Sequence, residues 1–117
     1  MISLHCPLND ATKHLLNKER LAKAKSSLLI VNCARGGIID EEAALEALRS
    51  GSIGGLAVDV LPVEPPKDGH ALLDALANAE PLNLIVTPHN AWITPEARQN
   101  IVGLTADNIR AWQTENH

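Results

Sequence analysis

The sequence predicts an α/β fold, a parallel sheet of about four strands with flanking helices. Two observations carry this reading. Strand-sized aliphatic runs alternate with helical segments in the order β-α-β-α-β-loop-β-α, which calls for crossover connections and therefore parallel strands. The chain is also 45% apolar but only 2% aromatic, so its core must be aliphatic, as suits a sheet covered by helices on both faces.

The elements follow in chain order. Residues 1–6 form a short apolar run stopped by Pro7 and read as a strand. Asn17 is placed to cap a short helix reaching Ala24, with Leu21 and Ala24 on its inner side. The second strand, 27–33, contains Leu28, Leu29, Ile30 and Val31 without alternation, the pattern of a strand buried on both faces. Asp40 caps a helix over 41–50, and Glu41 and Glu42 suit the positive end of its dipole. Gly51 stops that helix. Strands follow at 55–60 and 83–87. Between them runs a proline-bearing loop with a turn or two of helix at 71–77. Thr94 then caps, and Pro95 opens, a long helix to about residue 114, on which Ala97, Ile101, Leu104, Ile109 and Trp112 make one apolar stripe.

At 117 residues the chain is one domain, large enough for a core but small for a nucleotide-binding fold. A net charge of -4 with dispersed Lys and Arg argues against nucleic-acid binding. The apolar runs fall short of the roughly 20 residues a membrane helix needs. No secretory signal pattern opens the chain, and Cys6 and Cys33 both lie in strand-like runs, so a reduced, cytoplasmic protein is expected. Both cysteines read as small buried hydrophobes rather than nucleophiles. The five histidines offer no pair at metal-ligand spacing on one helix, so no metal is expected.

Chemistry-bearing residues cluster where three strands end. Arg35 closes Leu28-Leu-Ile-Val-Asn-Cys-Ala-Arg35, Glu64 follows Leu56-Ala-Val-Asp-Val-Leu-Pro-Val-Glu64, and His89 closes Leu84-Ile-Val-Thr-Pro-His89. Open parallel sheets bind ligands outside the carboxyl ends of their strands, so the three are expected in one crevice. A guanidinium, a carboxylate and an imidazole there supply an anion clamp, an orienter and a proton-transfer group. That set suits redox chemistry on a carbonyl beside a carboxylate. Gly36 and Gly37 would let a substrate approach the backbone. Asp59, within an apolar strand, needs a partner for its carboxylate.

A dinucleotide fold carries Gly-x-Gly-x-x-Gly after its first strand, and neither Gly36-Gly37 nor Gly54-Gly55 has that spacing. The arrangement therefore looks like the second half of a Rossmann-type dinucleotide-binding domain.

With these residues placed, the chain resembles the D-isomer-specific 2-hydroxyacid dehydrogenases. The blocks that carry the likeness are Leu4-His-Cys-Pro-Leu8, Asn32-Cys-Ala-Arg-Gly-Gly-Ile-Ile-Asp40, Ala57-Val-Asp-Val-Leu61 through Glu64-Pro65, and Thr87-Pro-His89. Val63-Glu-Pro-Pro66 and His89-Asn-Ala-Trp92 look most like the glycerate dehydrogenase/hydroxypyruvate reductase branch. The resemblance implies that residues 1–117 are a partial NAD(P)-binding domain, without the glycine-rich half and the substrate domain. It implies that Arg35, Glu64 and His89 are catalytic. His5, Cys6, Pro7, Cys33, Ala34, Asp59 and, again, Arg35 and His89 would border NAD or NADP. Asp59 would hydrogen-bond the nicotinamide carboxamide, with a helix N-terminus or backbone amides as the alternative partner. Arg35 and Trp92 would face the substrate, although Trp92 suits core packing equally. The implied reaction is hydride transfer between a 2-keto acid of the hydroxypyruvate or glyoxylate type and a D-2-hydroxy acid, with little activity from this chain alone. The alternative is a non-enzymatic NAD-sensing or protein-interaction domain of the corepressor type. An unpaired first strand would also favour self-association.

Overall fold

In a computed structural model describing residues 1–116, eight elements follow the expected order. They are β1 (Ile2–Leu4), α1 (Lys18–Ala22), β2 (Leu29–Asn32), α2 (Glu41–Arg49), β3 (Gly55–Val58), α3 (Ala71–Ala77), β4 (Leu84–Val86) and α4 (Pro95–Asn116). The strands form one parallel sheet in the order β1-β2-β3-β4. Its register aligns Ile2, Ile30, Leu56 and Leu84 in one row, and Ser3, Val31, Ala57 and Ile85 in the next.

Local chemistry sets the helix ends. The side chains of Asn17, Asp40 and His70 each accept a backbone N–H in the first turn of α1, α2 and α3, and Thr94 Oγ1 accepts from Ala97 N before α4. Helix α2 buries Ala44, Leu45, Ala47 and Leu48 in a core shared with Leu21, Ile30, Ile38, Ile39, Leu56, Leu72, Ala75 and Leu84.

One expectation is corrected. The sheet was expected to be covered on both faces, but α1, α2 and α3 join one core on the Ile30–Leu56 side. The reason is chirality: right-handed crossovers that always step the same way place every connecting helix on the same face. The opposite row stays open, with Leu29 42% and Ile85 58% exposed. The apolar stripe of α4 is not part of that core. Among the described residues α4 packs on no other helix or strand, and Ile101, Leu104, Ile109 and Trp112 are exposed. At about 33 Å long, it accounts for the elongated extents of 61 × 29 × 27 Å.

No helix is long and apolar enough to cross a membrane, and no group of three or more His, Cys, Asp or Glu could hold a metal ion, both among the described residues.

Candidate active site

All four strands point their carboxyl ends the same way, so the loops 5–8, 33–37, 59–66 and 87–94 gather at one edge of the sheet. Two clefts open there.

The first lies beyond β1 and β2. It measures about 720 Å³ and is lined by His5, Cys6, Pro7, Leu8, Cys33, Ala34 and Arg35. Asn32, fully buried at the end of β2, shapes one wall: its amide donates to the Arg35 carbonyl (2.9 Å) and accepts from Ala34 N (3.0 Å). The exposed Arg35 guanidinium folds back onto the Ala34 carbonyl at 2.7 Å. Cys33 is exposed and Cys6 partly so, which corrects the expectation that both are buried.

The second cleft lies beyond β3 and β4. It measures about 370 Å³, with Asp59, Leu61, Glu64, Pro65, Pro66, Thr87, Pro88 and His89 on its walls. Glu64 and His89, 25 positions apart, meet here with Oε2 and Nδ1 at 2.6 Å. Glu64 Oε1 accepts from Leu61 N at 2.8 Å, which fixes the carboxylate in its own loop. Among the described residues Nε2 is the ring atom of His89 left without a hydrogen bond. The bond from His89, the Leu61 amide and the imidazole charge hold the Glu64 carboxyl below its ordinary range, against a weaker opposing push from burial.

His89 itself sits at φ 52°, a left-handed backbone that costs a non-glycine residue about 1–2 kcal/mol. Its amide donates to the Thr87 carbonyl (3.0 Å), and its carbonyl accepts from the Trp92 indole (2.8 Å). Asp59, 4% exposed, receives three hydrogen bonds from the same turn: Thr87 Oγ1 (2.5 Å) and Asn90 N (3.0 Å) to Oδ1, and Ala91 N (3.0 Å) to Oδ2. Burial pushes the Asp59 carboxyl up, but the Thr87 hydroxyl, the two amides and the imidazole charge together bring it below the usual aspartate value.

The expected convergence is thus divided. Glu64 and His89 meet, whereas Arg35 lines the neighbouring cleft with the residues expected to border a cofactor. Trp92 is absent from both linings and braces the His89 turn instead. Asp59 finds its partners inside the chain, so of about four acceptor positions on its carboxylate one remains for an outside donor. The close approach at Gly36 is made by the chain itself: a Cβ there would overlap the Leu61 carbonyl and Pro62 N. Asn32 and Thr87 were missed. Asn32 carried the same signal that singled out Asp59, a polar residue ending an apolar strand.

Residues 1–91 match the sequence model of a family described as "D-isomer specific 2-hydroxyacid dehydrogenase, NAD binding domain". The chain belongs to the D-isomer specific 2-hydroxyacid dehydrogenase family. It is 47% identical over 112 residues to a glycerate dehydrogenase from Methylorubrum extorquens, covering 96% of this chain and 34% of that protein. It is 43% identical over 100 residues to a hydroxypyruvate reductase from Thermotoga maritima, covering 86% of this chain and 31% of that one. The NAD-complexed form of a D-isomer specific 2-hydroxyacid dehydrogenase from Lactobacillus delbrueckii ssp. bulgaricus superposes with a TM-score of 0.77 at 32% identity, over 96% of this chain and 36% of that chain. This member of the dehydrogenase family therefore spans about a third of the length of the relatives it matches.

The donor set of the first cleft fits the ring end of a dinucleotide. The first cleft offers apolar walls and a guanidinium, suited to a neutral ring beside an anionic substrate. A pyrophosphate would want free amides at a helix N-terminus. The side chains of Asn17, Asp40, His70 and Thr94 each take one first-turn amide, and the sequence carries no Gly-x-Gly-x-x-Gly turn to lay further amides along a pyrophosphate.

Proposed function

We propose that residues 1–117 form the nicotinamide-side half of a dehydrogenase site that interconverts a 2-keto acid and a D-2-hydroxy acid. The observation that carries the reading is the Glu64–His89 contact at 2.6 Å, at the carboxyl ends of parallel strands. NAD or NADP, when bound, would donate or accept the hydride. The chain's own residues do the rest. Arg35 holds the substrate carboxylate through its planar fork and polarises the adjacent keto oxygen. His89 gives a proton from Nε2 to that oxygen in reduction and takes it back in oxidation. Glu64 fixes the ring through Nδ1 and balances the imidazolium charge. His5, Cys6, Pro7, Cys33, Ala34 and Asp59 border the nicotinamide. The reading of Val63-Glu-Pro-Pro66, supported by the glycerate dehydrogenase and hydroxypyruvate reductase relatives, makes hydroxypyruvate or glyoxylate the keto substrate. The free thiols of Cys6 and Cys33 support a reduced, cytoplasmic setting.

Without a Gly-x-Gly-x-x-Gly turn this chain offers little grip on a pyrophosphate, so the isolated residues are expected to turn over hydroxypyruvate negligibly. Calorimetric titration with NADH tests the ring-side half. Saturable, weak binding that Asp59→Ala diminishes is the expected result. No heat at millimolar NADH would overturn the nicotinamide assignment. Turnover near that of full-length relatives would overturn the incomplete-site reading.

A further inference from the structure

We propose that Asp59 is a positioning residue: its buried carboxylate gathers Thr87 Oγ1, Asn90 N and Ala91 N, and so holds the turn that presents His89 in its left-handed backbone. The inference rests on the reading of His89 as the proton-transfer group for its functional consequence, not for its geometry.

Three features make the carboxylate a clamp on the turn. It belongs to the adjacent strand's end, 28 to 32 residues away in sequence, so the turn is anchored on the sheet rather than on itself. The three donors bracket His89 on both sides, one before it and two after. Both oxygens are used, which fixes the rotation of the turn as well as its height. Thr87 N on Val58 O (3.0 Å) and Asp59 N on Asn32 O (2.9 Å) continue the same ladder, so the clamp stands on the central strands. His89 needs such a restraint because its conformation is one that a non-glycine residue leaves when free. Its contact with Glu64 alone would not impose that backbone. A surface imidazole–carboxylate pair tolerates many backbone angles. The indole of Trp92 on the His89 carbonyl adds a fourth restraint from the far side of the turn.

NMR on the 117-residue chain tests this. In the wild type, scalar couplings across the hydrogen bonds from the Asn90 and Ala91 amides to the Asp59 side-chain carboxyl carbon are expected, a signature that packing alone does not produce. Asp59→Asn should accelerate amide exchange at Asn90 and Ala91 by roughly tenfold or more. It should also return the His89 backbone coupling to that of ordinary negative φ and weaken the ring's contact with Glu64. Glu64→Gln should leave the Asn90 and Ala91 couplings in place. Absence of the couplings in the wild type overturns the proposal, and so does an Asp59→Asn variant in which His89 keeps its backbone angle and its Glu64 contact. If Asp59→Asn does not fold, the wild-type couplings decide alone. Couplings present without NADH binding would leave the clamp standing and remove the nicotinamide reading. NADH binding without couplings would do the reverse.

Discussion

At the scale of single residues, the most unusual titrating group lies away from the strand ends. Glu41, 6% exposed in the first turn of α2, is pushed up from 4.5 to about 7 by burial. His70 Nε2 lies 2.5 Å from its Oε2, but no hydrogen-bond geometry joins them, and both Glu41 oxygens lack a hydrogen-bond partner. Asp40, Glu42, Asp68, Asp74 and His14 line the same hollow. Because the folded value of Glu41 lies above the unfolded one, its contribution to stability is complete below pH 4.5 and is lost as pH rises through about 7. His70 is held below 6.5, first by burial, so its contribution runs the other way and is lost as pH falls below that value. Glu41→Gln, which removes the ionising group, should therefore raise stability at pH 8 by up to about 3 kcal/mol. The gain should shrink toward pH 5. Denaturant melts at the two pH values check it, and a variant less stable than wild type at pH 8 would mean that the ionised Glu41 is well paired after all. No sequence signal pointed to this pair. Glu41 read only as an acid suited to the positive end of the α2 dipole, and only the fold of the 61–70 loop brings His70 over it.

At the scale of elements, the sequence told type and order better than partnership. The caps at Asn17, Asp40 and Thr94 and the aliphatic runs at 27–33, 55–60 and 83–87 are local signals, and the structure places a shorter strand within each run and a helix after each cap. The Glu64–His89 contact followed from a topological rule about strand ends, which is why residues 25 positions apart could be paired beforehand. Which loop end faces which cleft depends on side-chain direction, and there Arg35 and Trp92 departed from expectation. The packing of α3 is a quantitative check on the core. Leu72 is fully buried at its start, so Leu72→Ala should cost about 2–5 kcal/mol in urea unfolding. Asp40→Ala, which removes the α2 cap, should cost about 1 kcal/mol. A smaller loss at Leu72 than at Asp40 would mean that α3 is not part of the cooperative core.

At the scale of the whole molecule, a parallel sheet with one open face among the described residues departs from the rule that such sheets are covered on both sides. The outer edge of β1 is unpaired as well. Concentration-dependent association in sedimentation velocity is the expected behaviour, with β1 as the main route. Ile2→Lys, which charges the edge strand on the opposite side from the open face, should then reduce association more than Ile85→Lys, which charges the open face. The reverse ranking would assign the contact to the face, and a monomer at every concentration would remove the idea.

The seat of Gly36 under Leu61 and Pro62 has a consequence for how this protein can vary. It is where the backbone of the Arg35 loop and the backbone of the Glu64 loop touch, so neither loop can drift without displacing the other. A side chain at position 36 would part the two clefts as a wedge parts a joint, and changes at 36 and at 61–62 should be strongly non-additive. Tolerance for substitution in one loop is thus inherited from the other, and neighbouring sequences open to this chain by single steps are fewer than either loop alone would allow.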